Sequence, residues 1–538
     1  MTDVIIVGMP GSGKTVVGQH LARITGRAFV ELDQLFEERT GADPAHFIEA
    51  HGEPEFRRVE AEVAREAAQL RNTVISTGGG AVIDPISRWE LWHAGVVVWI
   101  DVKDEILASR IRGGTTARPL TPDLATLRQR RAERSQYYAA ADLTVRDHRS
   151  PGDAARRIAE WLQVHGDQVP AARTLLDARV RRDHPMGPGE ARIVMGSRFD
   201  RDSLADLVAG YSRGVPVVVA DENVARLQPG LVGAFPAGRL LTIDAGEQNK
   251  RLTAAEAHLE FAFSHRAERG DAWVAIGGGT TGDLVGTAAA LYMRGAPLVQ
   301  VPTTWLAMAD AAIGGKVAVD LAAAKNSAGA FWPPVAVVSD IAAIDTLDWD
   351  RRLDGMAECL KSGIIGDPWL WELVKRRGVG SMATGEDADL AARYAIVERS
   401  AWLKVAVVDR DPFEVGERRS LNLGHTIGHA LEIESGYRLP HGRAVVLGTR
   451  AVAHIAVARG LLDPEVSREI DDVVAELGFS TRRAFDPGAV MHALTGDKKS
   501  EGGRIRWILP TAIGSTVEAH DISEDEVSAA LAHIREDA

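Results

Sequence analysis

Short apolar runs alternate with helical patterns along the first 165 residues of this 538-residue chain. The predicted buried strands lie at 4–7, 74–76 and 96–100, and the predicted helices at 61–70 and 124–134. Buried strands that alternate with helices are typical of a parallel sheet covered by helices. The pattern therefore predicts an α/β domain over residues 1–165.

The pattern changes after this domain. Residues 166–177 are polar and irregular, which predicts a linker. A second series of buried runs follows, with predicted strands at 215–220, 273–276 and 298–302. From about residue 347 the apolar positions recur at helical spacing. We therefore expect a Rossmann-like α/β subdomain over 178–346 and a mainly helical subdomain over 347–538.

Composition and charge narrow the classes of partner. Apolar residues make up 45% of the chain and charged residues 25%, as in globular proteins. The net charge is −13 and no long basic run occurs, so we expect neither nucleic acid nor a membrane as partner. Cys359 is the single cysteine, and no signal-peptide pattern or long apolar span occurs. We expect a cytoplasmic protein with small-molecule ligands.

Residues 8–15 fit the phosphate-binding loop pattern G-x-x-x-x-G-K-[ST] between a predicted strand and a predicted helix. The backbone N–H groups of such a loop face phosphate, and the helix N-terminus adds positive charge. Lys14 is expected on the β- and γ-phosphates and Thr15 on Mg²⁺. The predicted ATP site comprises Gly11, Ser12, Gly13, Lys14, Thr15 and Val16.

Charged residues and glycines follow the next predicted strands. Asp33 follows one strand, three glycines at 78–80 follow another, and Arg57 lies in the helical stretch between them. The fork of an arginine suits a carboxylate, and glycines permit close approach to a small ligand. Arg118 follows a pair of glycines, which predicts a flap that closes over the phosphates.

Together these motifs resemble shikimate kinase over the whole first domain. The resemblance rests on residues 8–15, Asp33, 39–41, 55–58, 78–80 and 118–120. It implies a nucleoside-monophosphate-kinase-like fold and phosphorylation of shikimate by ATP with Mg²⁺. It also implies that Asp33 is the base and holds the substrate hydroxyls, that Arg57, Gly79 and Arg134 bind the substrate, and that Arg118 binds ATP. One departure is Glu31, where the family usually has an aspartate near the metal.

Three glycine- or threonine-rich stretches lie in the second domain; the first precedes a predicted helix, and the other two follow predicted strands. They lie at 246–250, 277–283 and 301–304. Glycines at the carboxyl ends of parallel strands suit the pyrophosphate of a dinucleotide. The fingerprint G-x-G-x-x-G is missing, so this pattern alone leaves dinucleotide binding open.

Candidate metal ligands lie in the helical subdomain. His425 and His429 are spaced i, i+4 on one predicted helical face, His441 offers a third imidazole, and Glu358 offers a carboxylate. Two histidines, a carboxylate and an open position are typical of catalytic zinc. The i, i+4 pair could equally lie on the surface. Basic residues crowd the same domain and indicate a strongly anionic ligand: Arg294, Lys316, Lys325, Lys361, Lys404, Arg418, Lys498 and Lys499.

The remainder of the chain resembles 3-dehydroquinate synthase. The matching positions are 279–283, 294–295, 300–304, 310, 314–316, 325–326, 358, 361, 411–412, 418, 422–426 and 441–442. The resemblance implies an NAD⁺- and Zn²⁺- or Co²⁺-dependent cyclisation of 3-deoxy-D-arabino-heptulosonate 7-phosphate with loss of phosphate. It also implies a homodimer formed through this enzyme. Glu358, His425 and His441 are then the metal ligands, and His429 acts on the substrate instead.

The same resemblance distributes the other residues between two ligands. The implied NAD⁺ site comprises Glu247, Gln248, Lys250, Gly279, Thr280, Thr281, Gly282, Asp283, Thr303, Thr304, Lys316 and Lys325. The implied substrate site comprises Arg294, Asp310, Asn326, Lys361, Lys404, Arg418, Asn422, His429 and Lys498. Of these, Lys361, Lys404 and His429 are the expected catalytic residues, beside Lys14, Asp33 and Arg118 in the kinase.

Three other hypotheses stay open. The second half could be a related sugar-phosphate cyclase, which Asn326, Asn422 and His429 disfavour because a carboxylate-bearing substrate needs donors there. It could be a polyol dehydrogenase, which would produce NADH. One half could be an inactive regulatory fusion, although both halves retain their predicted ligands.

Overall fold

The computed structural model describes residues 2–113, 123–166, 168–185, 187–322, 325–497 and 505–536. Among these residues, no helix is both long and apolar enough to cross a membrane. The chain divides into two compact units, residues 1–179 with 192–199, and residues 180–191 with 200–538.

The first unit is an α/β layer built on five parallel strands. Its elements are β1 (Asp3–Val7), α1 (Lys14–Thr25), β2 (Ala28–Glu31), α2 (Leu32–Thr40), α3 (Pro44–Ala67), β3 (Thr73–Ser76), α4 (Pro85–Ala94), β4 (Gly95–Ile100), α5 (Asp104–Gly113), α6 (Leu124–Tyr138), β5 (Leu143–Val145) and α7 (Pro151–His165). The strand order is β2-β3-β1-β4-β5. In the centre, Val4 pairs with Val74 on one side and Val96 on the other.

The predicted parallel sheet is confirmed, because the three strands foreseen from apolar runs form its centre. β1 is buried along its whole length, as expected for a strand covered on both faces. The predicted helix at 61–70 is only the end of α3, which begins at Pro44. Asp43 caps that helix through its side chain, a signal that the apolar spacing did not include.

The predicted linker at 166–177 is irregular only in its first part. The strand β6 (Arg173–Arg182) begins inside it and is followed by β7 (Gly189–Ser197). Leu175 and Leu176 are buried in β6. Polar residues flank these leucines, so the apolar run was too short to stand out in the sequence.

The second unit opens with an α/β part. Its elements are α8 (Arg201–Ala209), β8 (Val217–Asp221), α9 (Glu222–Leu227), α10 (Pro229–Val232), β9 (Leu240–Ile243), α11 (Leu252–Ser264), β10 (Trp273–Gly277), α12 (Gly279–Leu291), β11 (Leu298–Pro302), β12 (Lys316–Val319), β13 (Ala328–Phe331) and β14 (Ala336–Asp340). Five strands lie in the order β14-β11-β10-β8-β9, and each neighbouring pair is parallel. Their turns are thereby brought to one edge of the sheet.

A mainly helical part completes the second unit, as predicted. Its elements are α13 (Trp349–Gly366), α14 (Pro368–Met382), α15 (Leu390–Arg410), α16 (His425–Glu434), α17 (His441–Ala458), α18 (Pro464–Glu476), α19 (Pro487–Asp497), β15 (Trp507–Ala512), β16 (Ser515–Ala519) and α20 (Glu524–Ile534). The antiparallel hairpins β12–β13 and β15–β16 were not predicted. α16 and α17 pack together, and the two predicted metal-binding histidines, His425 and His441, are the first residues of these helices.

Two candidate active sites

The phosphate-binding loop of the first unit joins β1 to α1. Its last glycine, Gly13, has a φ of 90° and no side chain caps the helix that follows. The first N–H groups of α1 are therefore directed to the loop, as an anionic ligand requires. Lys14 is buried and its ammonium donates to the carbonyls of Gly8 (3.0 Å) and Met9 (3.1 Å). This loop fits the phosphates of a nucleotide.

The carboxylate of Glu31 lies beside the predicted magnesium ligand Thr15. The Thr15 hydroxyl donates to Oε1 of Glu31 at 2.5 Å. Glu31 ends β2, which pairs with β3, and its side chain reaches the first residues of α1. A hydroxyl and a carboxylate in contact are suitable oxygen donors for Mg²⁺.

A second group of side chains surrounds the turn at Gly78. A Cβ there would lie 2.7 Å from Oε1 of Glu60 and 3.2 Å from Oδ1 of Asp33, so both carboxylates meet this backbone. Glu60 is buried and forms a 2.6 Å ion pair with Arg57. Burial raises the pKa of the Glu60 carboxyl, although Arg57 opposes this. Glu60 was missed from sequence because a glutamate within a polar helix has no distinguishing pattern.

Three guanidinium groups gather next to this turn. Arg134 is buried, and it donates to the carbonyl of Gly79 at 2.9 Å. Burial and the nearby Arg134 and Arg57 lower the pKa of Arg130, which was not predicted. Guanidinium groups held this close together repel one another, so they suit an anion of carboxylate type. The fit agrees with the predicted roles of Arg57, Gly79 and Arg134.

Two arginines concern the nucleotide site at the P-loop. Arg110, on α5, donates to the carbonyls of Gly11 (3.3 Å) and Ser12 (3.4 Å) and was not predicted. A single arginine on a helix gives no sequence signal, so only tertiary packing could reveal it. The predicted flap residue Arg118 lies outside the described residues. Val16, also predicted at the nucleotide, is 46% exposed.

In the second unit the N-terminus of α12 lies at the carboxyl end of β10. Its N-cap is Gly278, and no side chain caps it. The predicted residues Gly279, Thr280, Thr281, Gly282 and Asp283 form the first turns of this helix. Thr303 and Thr304 follow the adjacent strand β11. An uncapped helix start at this edge fits the pyrophosphate of a dinucleotide.

Two lysines join this turn to the residues around it. Lys250 is buried and contacts Asp283 and Asn326, each at 2.5 Å. Burial raises the pKa of Asp283 to about 6, despite the opposing charge of Lys250. Lys325 lies 3.0 Å from Glu247, whose carboxylate also accepts from Thr280 at 2.9 Å. Gln248 follows Glu247 in the same short 3₁₀ turn.

The predicted metal ligands converge from three helices. Nε2 of His441 lies 3.3 Å, and Nε2 of His425 3.9 Å, from Oε1 of Glu358. Two ligand atoms on a tetrahedral zinc ion lie about 3.4 Å apart, so these donors fit such an ion. A second group, His429, Glu432 and His441, also lies within metal-binding distance.

The electrostatics of the group favour a cation. Glu358 is buried; burial alone would raise the pKa of its carboxyl, but Lys361 and the two imidazoles lower it well below its ordinary value. Burial opposes charge on His441, yet Glu358 and Glu432 raise its pKa to about 10. The two carboxylates therefore favour positive charge at this imidazole. A divalent ion can supply that charge as well as a proton can.

Basic side chains continue from the metal group. Lys361 contacts Glu358 directly, and Lys404 lies 2.7 Å from Asp310. Burial lowers the pKa of Lys404, opposed by Asp310 and reinforced by Arg418 and Lys361. Cations held close together in a buried place need an anionic ligand to offset their repulsion. The predicted substrate residues Asp310, Lys361, Lys404 and Arg418 are therefore brought together.

Glu414 is a residue of this site that sequence reasoning missed. Its carboxylate contacts the ammonium of Lys316 and accepts from Asn422 at 2.8 Å. It lies in the loop between Asp411 and Arg418, where Asp411 accepts the N–H groups of residues 415, 416 and 418. Its left-handed backbone, with a φ of 60°, is the only unusual feature, and the sequence does not show it.

Two predicted substrate residues are not brought to this cluster. Arg294 is exposed and follows the far end of α12, whose 13 residues place it about 20 Å from Gly279. Within one chain it therefore lies away from the dinucleotide turn. Lys498 lies outside the described residues. His429, by contrast, lies beside the metal group, with its ring centre 5.3 Å from that of His425.

Comparison with known proteins gives family matches for both halves. Residues 10–163 match the shikimate kinase model, residues 240–353 the 3-dehydroquinate synthase N-terminal model and residues 355–500 its C-terminal model. A 3-dehydroquinate synthase of Prochlorococcus marinus is 39% identical over 336 residues, covering 61% of this chain and 89% of that protein.

Other similar proteins have a different printed activity. A 2-epi-valiolone synthase of Actinosynnema mirum is 39% identical over 392 residues, covering 69% of this chain and 98% of that protein. The solved 2-epi-5-epi-valiolone synthase ValA of Streptomyces hygroscopicus subsp. jinggangensis, with NAD⁺ and Zn²⁺ bound, matches with a TM-score of 0.60 and 27% identity, covering 66% of this chain and 99% of that one. The protein is thus a fusion in which a shikimate kinase domain precedes a member of the 3-dehydroquinate synthase family.

Proposed function

We propose that the first unit transfers phosphate from ATP with Mg²⁺ to shikimate, giving shikimate 3-phosphate. The P-loop supplies amides for the phosphates, and Thr15 with Glu31 would hold Mg²⁺. Asp33 lies at the turn beside Gly78, where it can hold the acceptor hydroxyl and take its proton. The arginines around Gly79 provide the site for the carboxylate.

The second unit is proposed to convert 3-deoxy-D-arabino-heptulosonate 7-phosphate to 3-dehydroquinate and phosphate. The buried cluster of Lys361, Lys404 and Arg418 beside the metal group is the observation that carries this proposal. A substrate with both a carboxylate and a phosphate satisfies that many cations. Asn422 and Lys316, held by Glu414, add two donors.

The cofactors have defined places in this proposal. Glu358, His425 and His441 would hold Zn²⁺ or Co²⁺, and the start of α12 would hold NAD⁺. When bound, the metal supplies a Lewis acid and NAD⁺ a reversible hydride acceptor. His429, with 54% of its side chain exposed, would exchange a proton with the substrate.

A second candidate is a valiolone-type cyclase activity, which the similarity to two such enzymes favours. Those names concern other proteins, and their substrates need not be shared. Asn422, which contacts Glu414, and His429, which lies near the metal group, support a carboxylate-bearing substrate instead, because both offer hydrogen-bond donors. The two candidates differ in the sugar phosphate accepted.

The purified chain tests the proposal when it is assayed with each substrate in turn. We expect phosphate release from the heptulosonate phosphate, with no accumulation of NADH because the hydride returns to the same molecule. ATP-dependent phosphorylation of shikimate should occur in the same preparation. Turnover of a sugar phosphate that lacks the carboxylate, without turnover of the heptulosonate, would establish the second candidate. Stoichiometric NADH would indicate a polyol dehydrogenase.

The organisation of the chain is part of the proposal. We assign the kinase activity to residues 1–165 and the synthase activity to an NAD-binding part at 178–346 and a metal- and substrate-binding part at 347–538. We further propose a homodimer formed through the synthase and a location in the cytoplasm, where ATP and NAD⁺ are available. Size-exclusion chromatography with light scattering tests the dimer.

A further inference from the structure

Glu432 is a buried carboxylate that no predicted role uses. It lies on α16, the helix that also carries His425 and His429, and it is 6% exposed. Its Oε1 lies 3.5 Å from Nδ1 of His441, and its Oε2 lies 4.0 Å from Nε2 of His429. A carboxylate buried in this way needs a positive or donating partner.

The two imidazoles of the proposed metal set are arranged alike. His425 directs Nε2 to Glu358, and its Nδ1 lies 3.1 Å from the carbonyl of Leu423. His441 also directs Nε2 to Glu358, and its Nδ1 faces Glu432. Each ring thus offers one nitrogen to the metal position and the other to an oxygen acceptor.

This arrangement decides between two roles for Glu432. If Glu432 were a ligand, His441 would have to bind the same ion through Nδ1. Nε2 of His441 and the carboxylate of Glu358, which face each other, would then not share that ion. As an acceptor, it fixes the tautomer in which Nδ1 carries hydrogen and Nε2 carries the lone pair. The second role leaves Glu358, His425 and His441 as one complete set, as their spacing supports.

We infer that Glu432 is a positioning residue: it accepts from Nδ1–H of His441 and so orients Nε2 of that ring toward the metal position. The inference rests on the proposed ligand set and adds a residue to it. Outer carboxylates of this kind typically change metal affinity by about 10- to 100-fold when they are removed.

The test measures Zn²⁺ affinity in the full chain by competition with a chromogenic chelator, and the visible spectrum of the Co²⁺ form. For Glu432→Ala we expect a Kd for Zn²⁺ about 10- to 100-fold higher and shifted Co²⁺ bands. Glu432→Gln should bind closer to wild type, because its amide oxygen still accepts from Nδ1–H. The matched control is Glu434→Gln on the same helix, whose carboxylate contacts Arg483 at 3.1 Å, and it should change neither quantity.

Each contrary outcome has a distinct meaning. An unchanged Kd and spectrum in Glu432→Ala would overturn the positioning role. Loss of metal in Glu432→Gln as complete as in His441→Ala would make Glu432 a ligand and overturn it as well. If wild type binds no Zn²⁺, or His441→Ala retains wild-type affinity, the proposed ligand set itself fails and the positioning role fails with it. Kinase activity and NAD⁺ affinity verify that each variant is folded.

Discussion

The guanidinium of Arg173 lies 2.6 Å from the carboxylate of Asp142, and its side chain is 1% exposed. It also donates to the carbonyl of Gly95, while Asp142 accepts the N–H of Val97 at 2.8 Å. The first residue of β6 is therefore bound into the kinase unit, although it follows the last kinase helix by several residues.

Arg173→Ala is expected to destabilise the kinase unit. The change leaves Asp142 and the Gly95 carbonyl without their partner, which costs about 2–3 kcal/mol for a pair that is partly exposed on one side. Urea unfolding followed by kinase activity measures the effect. Arg156→Ala is the control, because that arginine is 67% exposed and should change stability by less than about 0.5 kcal/mol. Equal stability of both variants would contradict the structural role of Arg173.

The same contact affects where the chain can be divided. A fragment of residues 1–168 lacks Arg173, so we expect it to be active but less stable than a fragment of residues 1–199. Arg173→Ala in the longer fragment should remove the difference. If kcat/KM of the shorter fragment falls by more than about tenfold, roughly 1.4 kcal/mol, the removed residues shape the kinase site itself.

The two active sites should respond to different single changes. Lys14→Ala removes the ammonium of the P-loop, and we expect kinase kcat/KM to fall about 100-fold or more with synthase activity intact. His441→Ala removes a proposed metal ligand and should abolish synthase activity and bound zinc while the kinase is unchanged. Metal analysis and both assays on each variant check this. Retention of zinc by His441→Ala would refute the ligand assignment.

Two neighbouring glycines should have separable effects on the kinase. A Cβ on Gly80 would lie 2.0 Å from Nη1 of Arg57, whereas one on Gly79 would lie 2.8 Å from Cδ of Pro10 in the P-loop. Gly80→Ala displaces the arginine proposed to bind the carboxylate, so we expect KM for shikimate to rise about 10- to 100-fold with KM for ATP unchanged. Gly79→Ala should raise both. Initial rates measured while each substrate is varied in turn give both KM values. An unchanged KM for shikimate in Gly80→Ala would count against the proposed carboxylate site.

Synthase activity should decline above pH 8. Desolvation, with Arg418 and Lys404 nearby, lowers the pKa of Lys316 to about 8, and Asp310 opposes this shift. A lysine with a lowered pKa is charged below that value and neutral above it, so attraction for an anionic substrate weakens as pH rises. The pH profile of kcat/KM should therefore fall on its alkaline side. Lys316→Arg stays charged, so its profile should extend further; an identical alkaline limb would exclude Lys316 as its cause.

Features encoded by neighbouring residues were available from the sequence. The P-loop is one continuous strand, turn and helix start, so its pattern and its geometry coincide. The parallel sheets followed from apolar runs, because strands buried on both faces lack polar positions. The metal set was foreseen as a group of candidates, but the i, i+4 spacing of His425 and His429 by itself did not single out Glu358, His425 and His441.

Tertiary structure decided which side chains meet. Glu358, His425 and His441 come from three helices, and only their packing turns Nε2 of both histidines to one carboxylate. Packing also brings Glu60 to Gly78, Arg110 to the P-loop and Glu414 to Lys316, and it ties Arg173 to Asp142. Such contacts join residues far apart in the chain. They depend on the orientation of whole helices and strands, and no local spacing encodes that orientation.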